Sequence, residues 1–299
     1  MRKQQAAKRP ARRKKAAPAA APLPDRRAIE SVMSTLSGRR GGTTLDDAQE
    51  LMYRAWETAG RRARLDLARR ALEISPWCAD AYVLLAAEGA GSLQEAADLY
   101  AKGVEAGERA IGRRRFKEYS GHFWGYLETR PYMRARCGLA QALWTSGERD
   151  AAIGHFREML RLNPNDNQGI RDLLAGCLLA VSDHAALADL LQQYEEDAGT
   201  TMCYTRTLLA FRTKGAGAEA RACLADALAT NAHVPTYLTG RKKPPRALPD
   251  YVSWGGEDEA AEYARAHGAA WSATPGAVDW LAETAPRHDP PKGRARAPR

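Results

Sequence analysis

Residues able to do acid–base chemistry gather in one stretch, GHFWGYLETRPYMRARCGLA (121–140), where His122 and Glu128 stand among aromatics and arginines. A working proton shuttle needs both groups aimed at one reacting atom. Helix across 122–128 would place residues six apart on different sides, about 120° from each other, and Gly121 and Gly125 argue against regular helix there. No second histidine stands nearby to make a metal pair. The run NPNDN (163–167) offers calcium-type oxygens but lacks the loop glycine and the distal bidentate glutamate. After a helix-ending proline, Asn165–Asn167 fit better as a cap for the next helix. GRRGGTT (38–44) has no G-K-[ST] and no strand before it, so it is not a phosphate loop. Nor is there a G-x-S-x-G elbow. Five cysteines (Cys78, Cys137, Cys177, Cys203, Cys223) lie far apart with no C-x-x-C pair, the pattern of buried reduced thiols. The expectation is a protein that is not an enzyme, with no catalytic residue, no metal, no cofactor and no identified small-molecule substrate.

The elements that would position these residues are helical. In MRARCGLAQALWTSGERDAAIGHFREMLRLNP (133–164) apolar residues recur at helical spacing, Gly147 separates two runs and Pro164 ends the second. With Met133 as position 1, Leu139, Ala140, Leu143, Ala152, Phe156 and Pro164 take positions 7, 8, 11, 20, 24 and 32. This resembles the tetratricopeptide pattern of period 34, with Arg136 where the pattern has Trp. Adding 34 to Ala152 gives Ala186 and then Ala220, and Phe156 maps to Leu190 and Leu224. A small residue lets two helices approach, and a bulky one a turn later fills the gap beside it. Residues 45–76 and 79–110 read as two earlier helix pairs. No segment alternates like a half-buried strand. The predicted fold is all-α: about five helix pairs stacked as a tetratricopeptide-like right-handed solenoid over 28–286, with an aromatic-rich insert at 111–132. HVPTYLTGRKKPPRALPDYVSWG (233–255) is too proline-rich for regular helix, and one or two closing helices follow.

The net charge of +9 does not belong to this body. Residues 1–27 hold ten Lys/Arg and one Asp, and 287–299 hold five and one, which leaves the body acidic by about four charges. Both ends are nearly free of core-forming side chains, so both are expected to be disordered basic tails, with weak nucleic-acid contact as their sharper reading. The start lacks an apolar h-region, and no apolar run reaches the roughly 18–20 residues of a membrane span. A cytoplasmic chain without membrane association is expected.

Several segments carry a more specific likeness: ALEISPWCADAYVLLAAE (71–88), EAADLYAKGVEAGE (95–108), CYTRTLLAF (203–211), HVPTYL (233–238) and GEDEAAEYARAHGAAW (256–271). Together they resemble the suppressor of tumorigenicity 7 family, including its soluble bacterial members, over roughly 45–280. The resemblance implies a repeat scaffold and no transferable catalytic residue. Animal members carry membrane-spanning segments near the N-terminus, where this chain has its basic tail.

The tetratricopeptide resemblance implies that the first helix of each pair lines a concave face, with positions 2, 5, 9, 12 and 13 pointing into it. Those positions hold Trp56, Arg134, Gln141, Trp144, Gln168, Arg171 and Arg212. Trp56 and Trp144 are either exposed anchors or packed against the neighbouring helix. Arg171 lacks the Asn partner of a peptide C-terminus clamp, since Ala175 stands at position 9. In the insert, Phe123, Trp124, Tyr126 and Tyr132 either wedge two stacks apart or, with His122 and Arg130, form part of a binding surface. The expected function is a protein–protein interaction scaffold that takes a partner's peptide or helix in the concave groove. The alternative is a nucleic-acid-associated protein whose tails contact polyanions while the body recruits a partner.

Overall fold

A computed structural model describes residues 30, 32–34, 44–246 and 252–285. The two tails lie outside the described residues. Within them the protein is an all-α helical solenoid with no strand. Five helix pairs follow one another: α1 (Thr44–Glu57) with α2 (Arg61–Ile74), α3 (Ala79–Leu84) with α4 (Leu93–Tyr119), α5 (Arg130–Ser146) with α6 (Arg149–Leu162), α7 (Ile170–Val181) with α8 (His184–Gln193), and α9 (Thr200–Lys214) with α10 (Ala218–Thr230). A single π-turn, Leu85–Gly89, extends α3. Then come α11 (Val234–Leu238), α12 (Glu257–Ser272) and α13 (Ala277–Thr284).

The small-then-bulky repeat explains why the pairs close. Ala152 and Ala220 are fully buried and Ala186 is half-buried at matching places on α6, α8 and α10. Phe156, Leu190 and Leu224 fill the space one turn later in one continuous core. Glycine does the same work between α4 and α5. A Cβ at Gly107 would stand 2.7 Å from Tyr132 Cβ and 3.0 Å from its Cα, so the two backbones touch through the missing side chain. The hairpin turn after α5 is closed by Gly147, left-handed at φ 94, whose N–H and that of Glu148 cap the last carbonyls of the helix.

The insert is more helical than its composition suggests. α4 is two helices joined at Gly112 (φ 75), and the second runs to Tyr119. Short 3₁₀ turns at Phe123–Gly125 and Leu127–Thr129 lead into α5, where Pro131 sits in the first turn. The insert fills the space beside the solenoid. Phe116, Phe123 and Tyr132 pack edge to face with centroids 4.8–5.8 Å apart, and Tyr119 stacks on Tyr126 at 3.6 Å. The proline-rich run differs from expectation in one place: Val234–Leu238 is a helix. Pro235 stands in its first turn, where its missing N–H has no helical partner to lose.

The largest difference is the placement of α12. It does not simply follow the last pair but packs against α7 and α9, the first helices of their pairs. It buries Ala260, Ala261, Tyr263, His267 and Trp271, and Trp271 Nε1 donates to the Tyr263 hydroxyl at 2.9 Å.

Because its neighbour is backbone and not a movable side-chain tip, Gly107→Ala is expected to lower stability by about 1–3 kcal/mol. Urea unfolding of the full chain measures this, and an unchanged midpoint would show that α4 and α5 do not approach so closely.

Candidate functional site

The three arginines expected in the groove are all engaged with the protein's own acceptors. Arg134 lies on α5, and its fork grips Asp80 of α3, with Nε to Oδ1 at 2.8 Å and Nη2 to Oδ2 at 2.6 Å. Asp80 is fully buried and also accepts from Gln49 Nε2 at 2.8 Å. On its other side Arg134 donates to Glu30 at 3.0 and 3.1 Å, and Arg130 reaches the same carboxylate at 3.2 Å. Burial would lower the Arg134 pKa, but Asp80 and Glu30 raise it, so the guanidinium stays charged. Trp56 packs beside it, its ring 5.3 Å from the guanidinium carbon. Arg134 and Trp56 therefore form part of the interior of the N-terminal pairs.

Arg171 pairs with Asp166 and Asp197. The same Asp166 carboxylate accepts the N–H groups of Ile170 and Arg171 at 2.8 and 2.9 Å, which caps the start of α7 from the NPNDN turn. Arg212 donates to Thr274 Oγ1, Leu179 O and Ala270 O at 2.8–3.0 Å, which ties α9 to α7 and to the end of α12. Gln168 lies in the turn before α7, half-buried, its Oε1 enclosed without a hydrogen-bond partner among the described residues.

In the insert, Tyr132 is fully buried and its hydroxyl accepts from Arg136. Trp124 is half-buried under the Arg130 guanidinium at 5.1 Å, and Arg130 Nε also bonds its carbonyl at 3.0 Å. His122 is exposed, and Glu128 accepts from the Tyr119 hydroxyl at 3.4 Å.

Gln141 and Trp144 have a different setting. They line a cleft of about 620 Å³ between α5, α7 and α12. Its residues come from the first helices of the pairs, from α12 and the turn before it, and from Phe156 of α6. Two anchors hold α12 over this face. One is the Arg212 fork at its C-terminal end. The other is Glu259, whose Oε2 accepts from Thr200 Oγ1 (2.8 Å), Asn231 Nδ2 (3.0 Å) and Gly255 N (2.8 Å). His267 sits so close to α7 that a Cβ at Gly176 would lie 3.1 Å from its Cε1.

The cleft's chemistry comes from residues outside the expected positions. Asp172 of α7, Glu262 and His267 of α12, and Trp254 all line it. Trp254 is 83% exposed. Burial pushes the Asp172 carboxyl up to about 6; Arg171 opposes this, while Asp197, Asp166 and Glu262 add to it. Burial lowers His267 to about 4, so it is neutral near pH 7. The signal for Asp172 was its place one residue beyond Arg171 on the same helix. Glu262, His267 and Trp254 belong to no repeat position. Among the described residues no group of three His, Cys, Asp or Glu side chains is placed to hold a metal ion. The cysteines are free thiols, with Cys78 and Cys177 pushed up to about 12 by burial. No described helix is long and apolar enough to cross a membrane.

Two measurements follow from this geometry. Asp80→Asn leaves Arg134 with half its fork uncompensated, so unfolding is expected to become easier by about 3 kcal/mol; a loss under about 0.5 kcal/mol would count against the buried pair. Asp172 behaves oppositely. Its folded pKa lies above the unfolded value of 3.8, so ionisation in the folded state opposes folding above about pH 6, and protonation removes that cost. Asp172→Asn is therefore expected to be more stable than wild type by about 1–2 kcal/mol at pH 8, with the gap closing as the pH falls to 4. Denaturation curves across that range check the sign.

A family model described as ST7 protein matches residues 42–286. Curated proteins named suppressor of tumorigenicity 7 protein from Macaca fascicularis and Rattus norvegicus are 26% identical to the chain over 283 aligned residues. The alignments cover 79% of this chain and 52% and 48% of those relatives, so the chain spans about half the length of the curated relatives it matches. The matched region takes in all five helix pairs, α12 and the cleft. The chain belongs to the suppressor of tumorigenicity 7 family.

Proposed function

We propose that the protein is a non-catalytic, cytoplasmic interaction scaffold that binds a peptide or helix of a partner protein on the face made by its first helices. The observation that carries this reading is the cleft between α5, α7 and α12, with Trp144 and Gln141 in its wall and Trp254 exposed at its edge. Its volume falls in the range of ligand-sized pockets, and aromatic side chains are common anchors at binding surfaces. Membership in a family of helical proteins fits a role without catalysis. Rigid helix pairs present such a surface preformed, so less conformational entropy is lost on binding.

The test is selection from a random peptide library on the immobilised full-length chain. Selected peptides are expected to stay bound at about 0.5 M salt and to weaken at least about tenfold on Trp144→Ala, while Tyr126→Ala in the insert changes nothing. Peptides indifferent to Trp144→Ala would overturn the cleft as the binding site. Binding that collapses with salt and with removal of residues 1–27 would assign the activity to a polyanion-binding tail.

A further inference from the structure

The cleft has a charge sign that the arginine-rich repeat positions conceal. Among the described residues its lining includes three carboxylates (Asp172, Glu259 and Glu262) and no lysine or arginine. Two nearby arginines are spent, Arg171 on Asp166 and Asp197 and Arg212 on Thr274 and two carbonyls, while a third, Arg149, lies over the Trp144 ring. Glu259 is spent too, on its three donors. Asp172 and Glu262 are not. Neither carboxylate receives a hydrogen bond or ion pair among the described residues, and the two are close enough that Glu262 raises the pKa of Asp172. His267 carries no charge there near pH 7, so it does not offset them. Beside these acids stand Trp144 and Trp254, whose ring faces attract cations. Trp144 already has a guanidinium over its ring, that of Arg149 at 5.4 Å.

We propose that the cleft binds a lysine or arginine side chain presented by an extended segment of a partner protein, with its charged head at Asp172 and Glu262 and its stem along Trp144 and Trp254. This rests on the scaffold reading above and names the chemistry of what the scaffold takes. The assignment follows from complementarity. Half-buried Asp172 and exposed Glu262 stand on one aromatic-walled cleft without a partner among the described residues, and a cation placed there gains both charges while shedding part of its own water onto ring faces. An acidic peptide or a nucleic acid meets the same two carboxylates as repulsion. The 620 Å³ cleft has room for one long side chain with flanking backbone. The burial of Asp172 also sets a pH signature. Asp172 is faced by Arg171 and Asp166 from its own helix and the turn before it, by Asp197 from the turn after α8, and by Glu262 and His267 from α12. Protonation of Asp172 near pH 6 removes its charge, and a cation therefore binds more weakly below that pH.

The experiment uses the full-length chain and four pools of fluorescein-labelled decapeptides. The pools are degenerate except at a fixed central residue: arginine, lysine, norleucine or glutamate. Fluorescence anisotropy at pH 7.5 is expected to show the arginine and lysine pools binding at least about tenfold more tightly than the norleucine and glutamate pools. Asp172→Asn and Glu262→Gln are each expected to remove about three- to tenfold of that preference, and the preference is expected to shrink at pH 5. Asp172 and Glu262 hold no structural partner among the described residues, so neither substitution should unfold the chain; circular dichroism checks it. Equal binding of norleucine and lysine pools, unaffected by Asp172→Asn but lost on Trp144→Ala, would overturn the cation assignment and leave the scaffold reading standing. Binding of no pool would overturn both. Cation-selective binding that appears only after removal of residues 1–27 or 287–299 would identify the occupant as the chain's own basic tail and not a partner.

Discussion

The seating of α12 on the first helices decides what surface this protein can offer. Without it the face made by α5, α7 and α9 would be one open trough. With it, the trough is divided, and a closed-sided cleft remains beside Trp144. Two polar anchors fix the helix at its ends, and a packed middle fixes its rotation. Glu259 gathers three donors from α9, α10 and the turn before α12, and Arg212 spans three acceptors on α7 and at the far end. A carboxylate or guanidinium used in this way is costly to leave unpaired. Its satisfaction is therefore also a registration device: sliding α12 by one turn would orphan both ends at once.

Charge is sorted along the same lines. In a repeat array the first-helix positions read as a stripe, and here the stripe is rich in arginine. Yet each arginine finds carboxylates or carbonyls within the fold. What faces the open space is the residue set left after those pairings, and that set is acidic. Arg134 shows the sorting most completely, since Asp80 and Glu30 bracket it and Trp56 covers its flank. A bidentate pair of this kind sets geometry more than it adds stability, because desolvating both ions offsets much of their attraction.

What the sequence made legible was everything written at short range. Ala152, Ala186 and Ala220, each followed four residues later by Phe156, Leu190 and Leu224, announced three second helices in register, and all three are found there. Gly147 and Asp166 announced a turn and a cap by local chemistry alone. The candidate site was legible only in part. Gln141 and Trp144 were placed on its wall by repeat position. Arg134, Arg171 and Arg212 were placed on the same stripe, but apart from Asp166, five residues before Arg171, their partners stand 26 to 104 residues away along the chain, and spacing within a repeat carries no information about such distances. The crossing of α12 is hidden for the same reason. Its alanine-rich amphipathic pattern states that one face is covered and not by what. Val234–Leu238 was hidden by proline content, which reads as a helix breaker unless the proline is known to stand in the first turn.

The α12 crossing has a mechanical consequence. An uncovered stack of helix pairs behaves like a leaf spring, since each pair touches only its neighbours and small rotations add up along the array. Here a strut bolted at both ends braces two neighbouring leaves across their open face, from the start of α9 to the end of α7. Bending that would open or close the C-terminal half must first stretch those bolts. The C-terminal half thus holds its curvature like a braced arch, and the walls that α7 and α12 give the cleft keep a set gauge before anything enters it.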